Sequence, residues 1–108
     1  MKQFNRIQLC GIVGYTHIAE FDNEKKARLG IAVNYRYLSA SENEYTQVEW
    51  FDVNVSDKDT DVDLESIKKG DCVYVEGEIR SVEYMGSDNA SHRYYTIHTD
   101  ILKKVKEE

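Results

Sequence analysis

Trp50 is the single tryptophan of the chain, and it stands out of phase with its neighbours. Phe51, Val53 and Val55 alternate as the apolar face of a strand, which turns Trp50 to the side of Asp52 and Asn54. An indole there costs solvation unless something covers it. A β-bulge that turns the ring inward would cover it, and so would a subunit interface. The functional explanation is a platform on which an unpaired nucleobase stacks.

Other aromatic residues share the anomaly. Tyr74 is out of phase with Val73 and Val75, and Tyr84 lies on the approach to a hairpin loop. Tyr35 and Tyr37 continue the inward parity of Ile31 and Val33 past the end of the core, so a bulge there could present either ring. For each tyrosine taken singly, a packed ring with its hydroxyl at the surface is sufficient. Taken together with Arg28, Arg36, Arg80 and Arg93, and with Lys25-Lys26, they form the interleaving of ring and cation that a groove for single strands needs.

Enzyme chemistry finds less support. His17, His92 and His98 lack metal-ligand spacing, and no Gly-x-Ser-x-Gly surrounds a serine. A nuclease would need a carboxylate pair at a metal, and Glu49 and Asp52 are the acids nearest Trp50, with no partner cluster. Gly11-Ile12-Val13-Gly14 is not a phosphate loop, since it lacks the third glycine and a following helix. The acids from Asp57 to Glu65 lack the central glycine of a calcium loop. Cys10 and Cys72 form no Cys-x-x-Cys and read as small side chains of the wall. No catalytic residue, metal or cofactor is expected.

The elements that must position these groups fit one domain. The chain has 108 residues, 41% of them apolar, and no proline; a second core would leave each half too small. No apolar run approaches the ~20 residues of a membrane span, and the N-terminal residues show no apolar stretch of the kind a signal peptide carries, so none is expected. The net charge of −6 disfavours nucleic acid at face value. Five acids nevertheless crowd into Asp57–Glu65 beside Lys58; without these, 14 cations and 20 anions become 13 and 15. The rest of the surface can carry a basic groove.

Two-residue alternation dominates. A first strand carries Ile7, Leu9, Gly11, Val13 and Tyr15 on one face, with a bulge expected at Gly11 or Gly14 because Ile12 breaks the parity. A polar turn covers 20–26, and a second strand runs through Leu29, Ile31 and Val33. After a loop over 39–44, Phe51, Val53 and Val55 mark a third strand. The spacing predicts a short helix over Val62–Lys69, with Gly70 as its stop. Val73 to Ile79 form a fourth strand, Met85–Ser91 a turn, and His92–Leu102 a fifth strand. This all-β order, with one helix between strands three and four, is that of the five-stranded Greek-key OB-fold, which binds oligonucleotides or oligosaccharides. The domain is expected over residues 1–105, with 106–108 a short end.

Four segments carry a family resemblance. Asn5 to Gly14 (NRIQLCGIVG) resembles the opening N-x-x-x-L-x-G-x-x-G strand of bacterial single-stranded DNA-binding proteins. Val48-Glu49-Trp50-Phe51-Asp52-Val53 resembles their T-E-W-h-x-V, and Arg93-Tyr94-Tyr95-Thr96 their R-Y-x-T. The most specific is Ile67 to Arg80 (IKKGDCVYVEGEIR), similar to L-x-K-G-x-x-V-Y-V-E-G-x-L-R. The resemblance implies non-sequence-specific binding of single-stranded DNA in replication, recombination or repair, by a cytoplasmic, nucleoid-associated homodimer or homotetramer. It places Trp50 and Tyr84 at stacking positions, Tyr37 near a third, and Arg80 near the DNA path. Ser56 and Asp52 depart from positions that are commonly phenylalanine and basic, which implies weaker binding or a smaller site. Members continue into a linker and an acidic tail that recruits repair enzymes; this chain stops at Glu108, so tail-mediated recruitment is not expected of it. The rival reading is an OB-fold protein-interaction module of a replication-restart or conjugation complex.

Overall fold

Alternation of apolar side chains becomes five long antiparallel-biased strands in a computed structural model that describes residues 1–106. They are β1 (Ile7–Phe21), β2 (Glu24–Leu38), β3 (Glu44–Ser56), β4 (Cys72–Met85) and β5 (Ser91–Val105). The sheet closes into a barrel in the order β1-β2-β3-β5-β4. Closure depends on a short parallel contact, Val53 with Ile97 and Asn54 with His98. This is the expected OB-fold architecture.

Directly paired residues share a face of the sheet. Val13 with Ile31, Leu29 with Val53, and Val75 with Leu102 therefore all point inward. With Val55, Val73 and Ile97 they form one buried core, each large side chain worth about 1.5–3 kcal/mol of burial. The expected bulge falls at Gly14, between the pairs Val13–Ile31 and Tyr15–Gly30. It reverses the parity beyond it, so Tyr15 turns outward instead of following Val13 into the core. Cys10 is exposed on the outer side of the wall, and no disulfide joins it to Cys72.

The segment between β3 and β4 is helical for two single 3-10 turns, Asp57–Asp59 and Leu64–Ser66, and not for the full Val62–Lys69. Local side-chain bonds take the backbone groups that a longer helix would need. Asp63 accepts from the Glu65 N–H, the Ser66 hydroxyl donates to the Asp63 carbonyl, and Asp71 accepts from the Lys68 N–H. The packing role survives: Leu64 and Ile67 are buried against the barrel core. Gly70, at φ 97°, completes a turn closed by the Asp71 N–H on the Lys68 carbonyl.

Strands outrun the barrel. The polar stretch expected as a turn over 20–26 is strand except for Asp22-Asn23, whose φ of 53° and 64° make a two-residue hairpin turn. Charged residues sit there in strand because both faces meet water beyond the core. The hairpins β2–β3 and β4–β5 extend likewise as arms. The radius of gyration, 16.4 Å, exceeds the ~13 Å of a compact domain this long, as protruding arms require. Among the described residues no helix is long and apolar enough to cross a membrane.

Candidate nucleic-acid interface

Three rows of side chains cross the outer face of β1, β2 and β3: Ile12–Ala32–Trp50, Tyr15–Gly30–Asp52 and His17–Arg28–Asn54. The β2–β3 ladder runs without a register shift from Lys26–Ser56 to Leu38–Glu44. No bulge therefore turns Trp50 inward, and its indole is 60% exposed. The ring is seated over the backbone of Gly14, where a Cβ would stand 2.4 Å from the indole. Next to it, the Tyr15 ring lies across Gly30, and its hydroxyl donates to Asp52. That bond, more than burial, raises the Tyr15 pKa.

On the far side of β3, the β4–β5 arm comes alongside. The Asn54 amide donates to the Thr96 hydroxyl at 2.6 Å, and that hydroxyl reaches the Asp52 carbonyl at 3.3 Å. Tyr84 and Tyr94 share the outer parity of Thr96 on this arm. The Tyr84 ring stacks on His92 at 5.3 Å and meets Tyr94 edge-on at 5.9 Å. Arg28, Asp52, Tyr84 and Tyr94 line an open hollow of about 510 Å³. Past their two paired residues β3 and β5 diverge, leaving a second hollow of about 220 Å³ at the barrel mouth, bounded by Trp50, Asp52, Ile79 and Tyr95.

The remaining sequence-derived residues fall in four places. Tyr35 and Tyr37 are exposed on the β2–β3 arm, because the arm leaves the core behind without any bulge; Tyr37 stacks on Tyr45 at 5.6 Å. Arg36 lies on the same arm, and Arg80 and Arg93 on the other. Lys25 and Lys26 stand near the Asp22-Asn23 turn, with Lys25 Nζ 3.2 Å from Glu65. Tyr74 lies apart, where β4 pairs with β1 on the side of the barrel away from β3. Its hydroxyl donates to Glu76 at 2.6 Å and accepts from Gln8 at 3.0 Å.

Every arginine of the set is paired with an acid: Arg28 with Asp52 (3.8 Å), Arg36 with Glu44, Arg80 with Glu78 and Arg93 with Glu83. These pairings, between neighbouring positions of the ladders or along one strand, are invisible to a net-charge count. Tyr45, Tyr94, Tyr95 and His92 join the aromatic surface although their phase did not single them out. The available signal was the exposed-arm position itself, since a strand beyond the core exposes both parities. Among the described residues no three His, Cys, Asp or Glu side chains gather to hold a metal.

Comparison with known proteins agrees with this fold. The model of the Single-strand binding protein family matches residues 4–105. Among solved structures, the chain is similar to the Plasmodium falciparum SSB in complex with ssDNA, at 20% identity and TM-score 0.85, covering 98% of each chain. It is similar to the small single-stranded DNA-binding protein of Streptomyces coelicolor, at 19% identity and TM-score 0.72, covering 97% of this chain and 96% of that one. A deletion mutant of the Thermus aquaticus single-stranded DNA binding protein matches at 13% identity and TM-score 0.75, over 95% of this chain and 51% of its own. At these identities the neighbours show the fold. Comparison with curated protein sequences returned no match. The match of the family model across nearly the whole chain shows that it belongs to the single-strand binding protein family, whose members bind single strands without catalysing a reaction.

Proposed function

We propose that the chain binds single-stranded DNA, with bases stacking in turn on Trp50, on the Tyr84–Tyr94 group and on Tyr35 or Tyr37, with Arg36, Arg80 and Arg93 meeting the phosphates and Arg28 meeting either a phosphate or the edge of a stacked base. One observation carries this reading: Trp50 is 60% exposed on a regular, unbulged strand, next to hollows lined by further rings and Arg28. Every base has a π-face, so stacking tolerates any sequence. Tyr74, held by Glu76 and Gln8 on the other side of the barrel, acts as a wall residue in this scheme. The biological setting we infer is protection of exposed strands in replication, recombination or repair, by a homodimer or homotetramer.

Titration of poly(dT) against the fluorescence of the single tryptophan tests the reading. Strong quenching is expected, reversed by salt with a slope of about 0.7 log units per phosphate neutralised. No quenching and no binding at low salt would sink it, and would leave the aromatic face to a protein partner.

A further inference from the structure

A carboxylate stands in the middle of this aromatic face, where phosphate attraction alone would exclude it. Asp52 is the residue shared by the two hollows, one bounded by Trp50 and Tyr95, the other by Tyr84, Tyr94 and Arg28. Its Oδ1 accepts from the Tyr15 hydroxyl, which fixes the carboxylate against the sheet. Its Oδ2 faces the Arg28 guanidinium at 3.8 Å, too far for a hydrogen bond. A base stacked in the hollow of Tyr84 and Tyr94 therefore brings its polar edge to an anchored acceptor with the Arg28 donor fork beside it.

Resting on the single-strand reading above, we propose that Asp52, assisted by Arg28, is a specificity-determining residue: it favours bases that carry an exocyclic amine and disfavours thymine. An ionised carboxylate can only accept hydrogen bonds. Cytosine offers its N4 amine and adenine its N6 amine, each next to a ring nitrogen that can accept from Arg28. Guanine offers N1–H and the N2 amine to the carboxylate and O6 to the guanidinium. Thymine has one donor, N3–H, flanked on both sides by carbonyl oxygens. Thymine can give N3–H to the carboxylate and one carbonyl to Arg28, but its other carbonyl is then turned towards the carboxylate, oxygen against oxygen. The family's tolerance for sequence then carries a bias, set by one acid among the rings.

The test compares oligo(dC) and oligo(dT) of equal length, two pyrimidine strands, in direct binding to the wild-type protein and to Asp52→Asn and Glu78→Gln. Glu78 is paired with Arg80 and borders neither hollow, so its change removes one negative charge without touching the base edge. Wild type is expected to bind dC about five- to tenfold more tightly than dT. In D52N that ratio falls towards one, because an amide both donates and accepts, while in E78Q both affinities rise and the ratio stays. Unchanged melting of D52N shows that the fold is intact. Equal dC and dT affinities in wild type, an undiminished ratio in D52N, or an equal fall of the ratio in E78Q would each overturn the proposal. Failure of both oligonucleotides to bind at low salt would overturn the single-strand reading on which it rests.

Discussion

Arg6 and Arg28 are both arginines facing carboxylates, on different sides of one barrel, and they do different work. Arg6 reaches Glu76 through Nε at 3.0 Å and Asp100 through its terminal nitrogens at 2.6 and 2.8 Å. Asp100 can meet it because it is the extra residue of a bulge opposite Glu76 and Gly77, swung out of the ladder. Glu76 is further held by Tyr74 and Gln8, and these bonds, with that of Arg6, pull its pKa down to about 2. The result joins β1, β4, β5 and the residue just before β1 in one network. Arg28, Arg36, Arg80 and Arg93 instead hold one acid each, with more than half of the side chain in water. Exposed single pairs contribute about 0–1 kcal/mol. A phosphate can therefore replace the carboxylate at Arg36, Arg80 or Arg93 at small cost, and a base edge can enter beside Asp52 at Arg28. The number of partners and the exposure, not the residue type, separate the arginine that holds the barrel together from those free to exchange partners.

The largest expected effect separates the two sides most sharply. Trp50→Ala should weaken single-strand binding by about 1–3 kcal/mol, about 5- to 150-fold in Kd, with little change in melting temperature. Anisotropy with a labelled oligonucleotide, alongside a thermal melt, reads both. Gly14→Ala attacks the same platform from beneath, because its methyl group would stand where the indole now lies. A weaker Kd with Trp50 unaltered in sequence is the expected result, seen as changed tryptophan emission before DNA is added. Unchanged emission would mean that the ring does not depend on that seat.

Arg6→Ala should do the reverse of Trp50→Ala: a drop of several degrees in melting temperature and an unchanged Kd. Loss of affinity without loss of stability would place Arg6 on the binding side and break the comparison. Arg93→Ala should flatten the plot of log K against log salt by about 0.7 while sparing stability, if one phosphate replaces Glu83 at that side chain.

The smallest effect is a pH limb. Because the folded pKa of Glu76 lies near 2, below its ordinary 4.5, its contribution to stability is complete above about pH 4.5 and is lost as pH falls towards 2. Melting temperatures measured across that window should fall more for wild type than for Glu76→Gln. Parallel curves would show that the network adds nothing to stability.

Much of this molecule was legible in the chain because strand parity is a local property. Ile31, Val33, Phe51, Val53 and Val55 announce their ladder by alternation, and Ile12 announces a bulge at Gly11 or Gly14, which the structure settles at Gly14. The same reasoning exposed Trp50. It failed at Tyr15, where the bulge had already reversed the parity, and at 62–69, where Asp63, Ser66 and Asp71 outcompete a helix of two turns. Parity also placed Tyr74 with Trp50, since both are out of phase with a core. Nothing local tells which side of a closed barrel an outward residue occupies.

By itself, then, the sequence determined the number and order of the strands, the inward set and the presence of unburied rings, because each follows from contacts between residues near in the chain and from the period of the pleat. Only the tertiary structure decided which rings border the same hollows across β3 and β5, that Asp52 stands between them, and which acid each arginine faces. Closure of the barrel through Val53 and Ile97 brings together residues 44 positions apart, and that pairing is a property of the closed sheet as a whole.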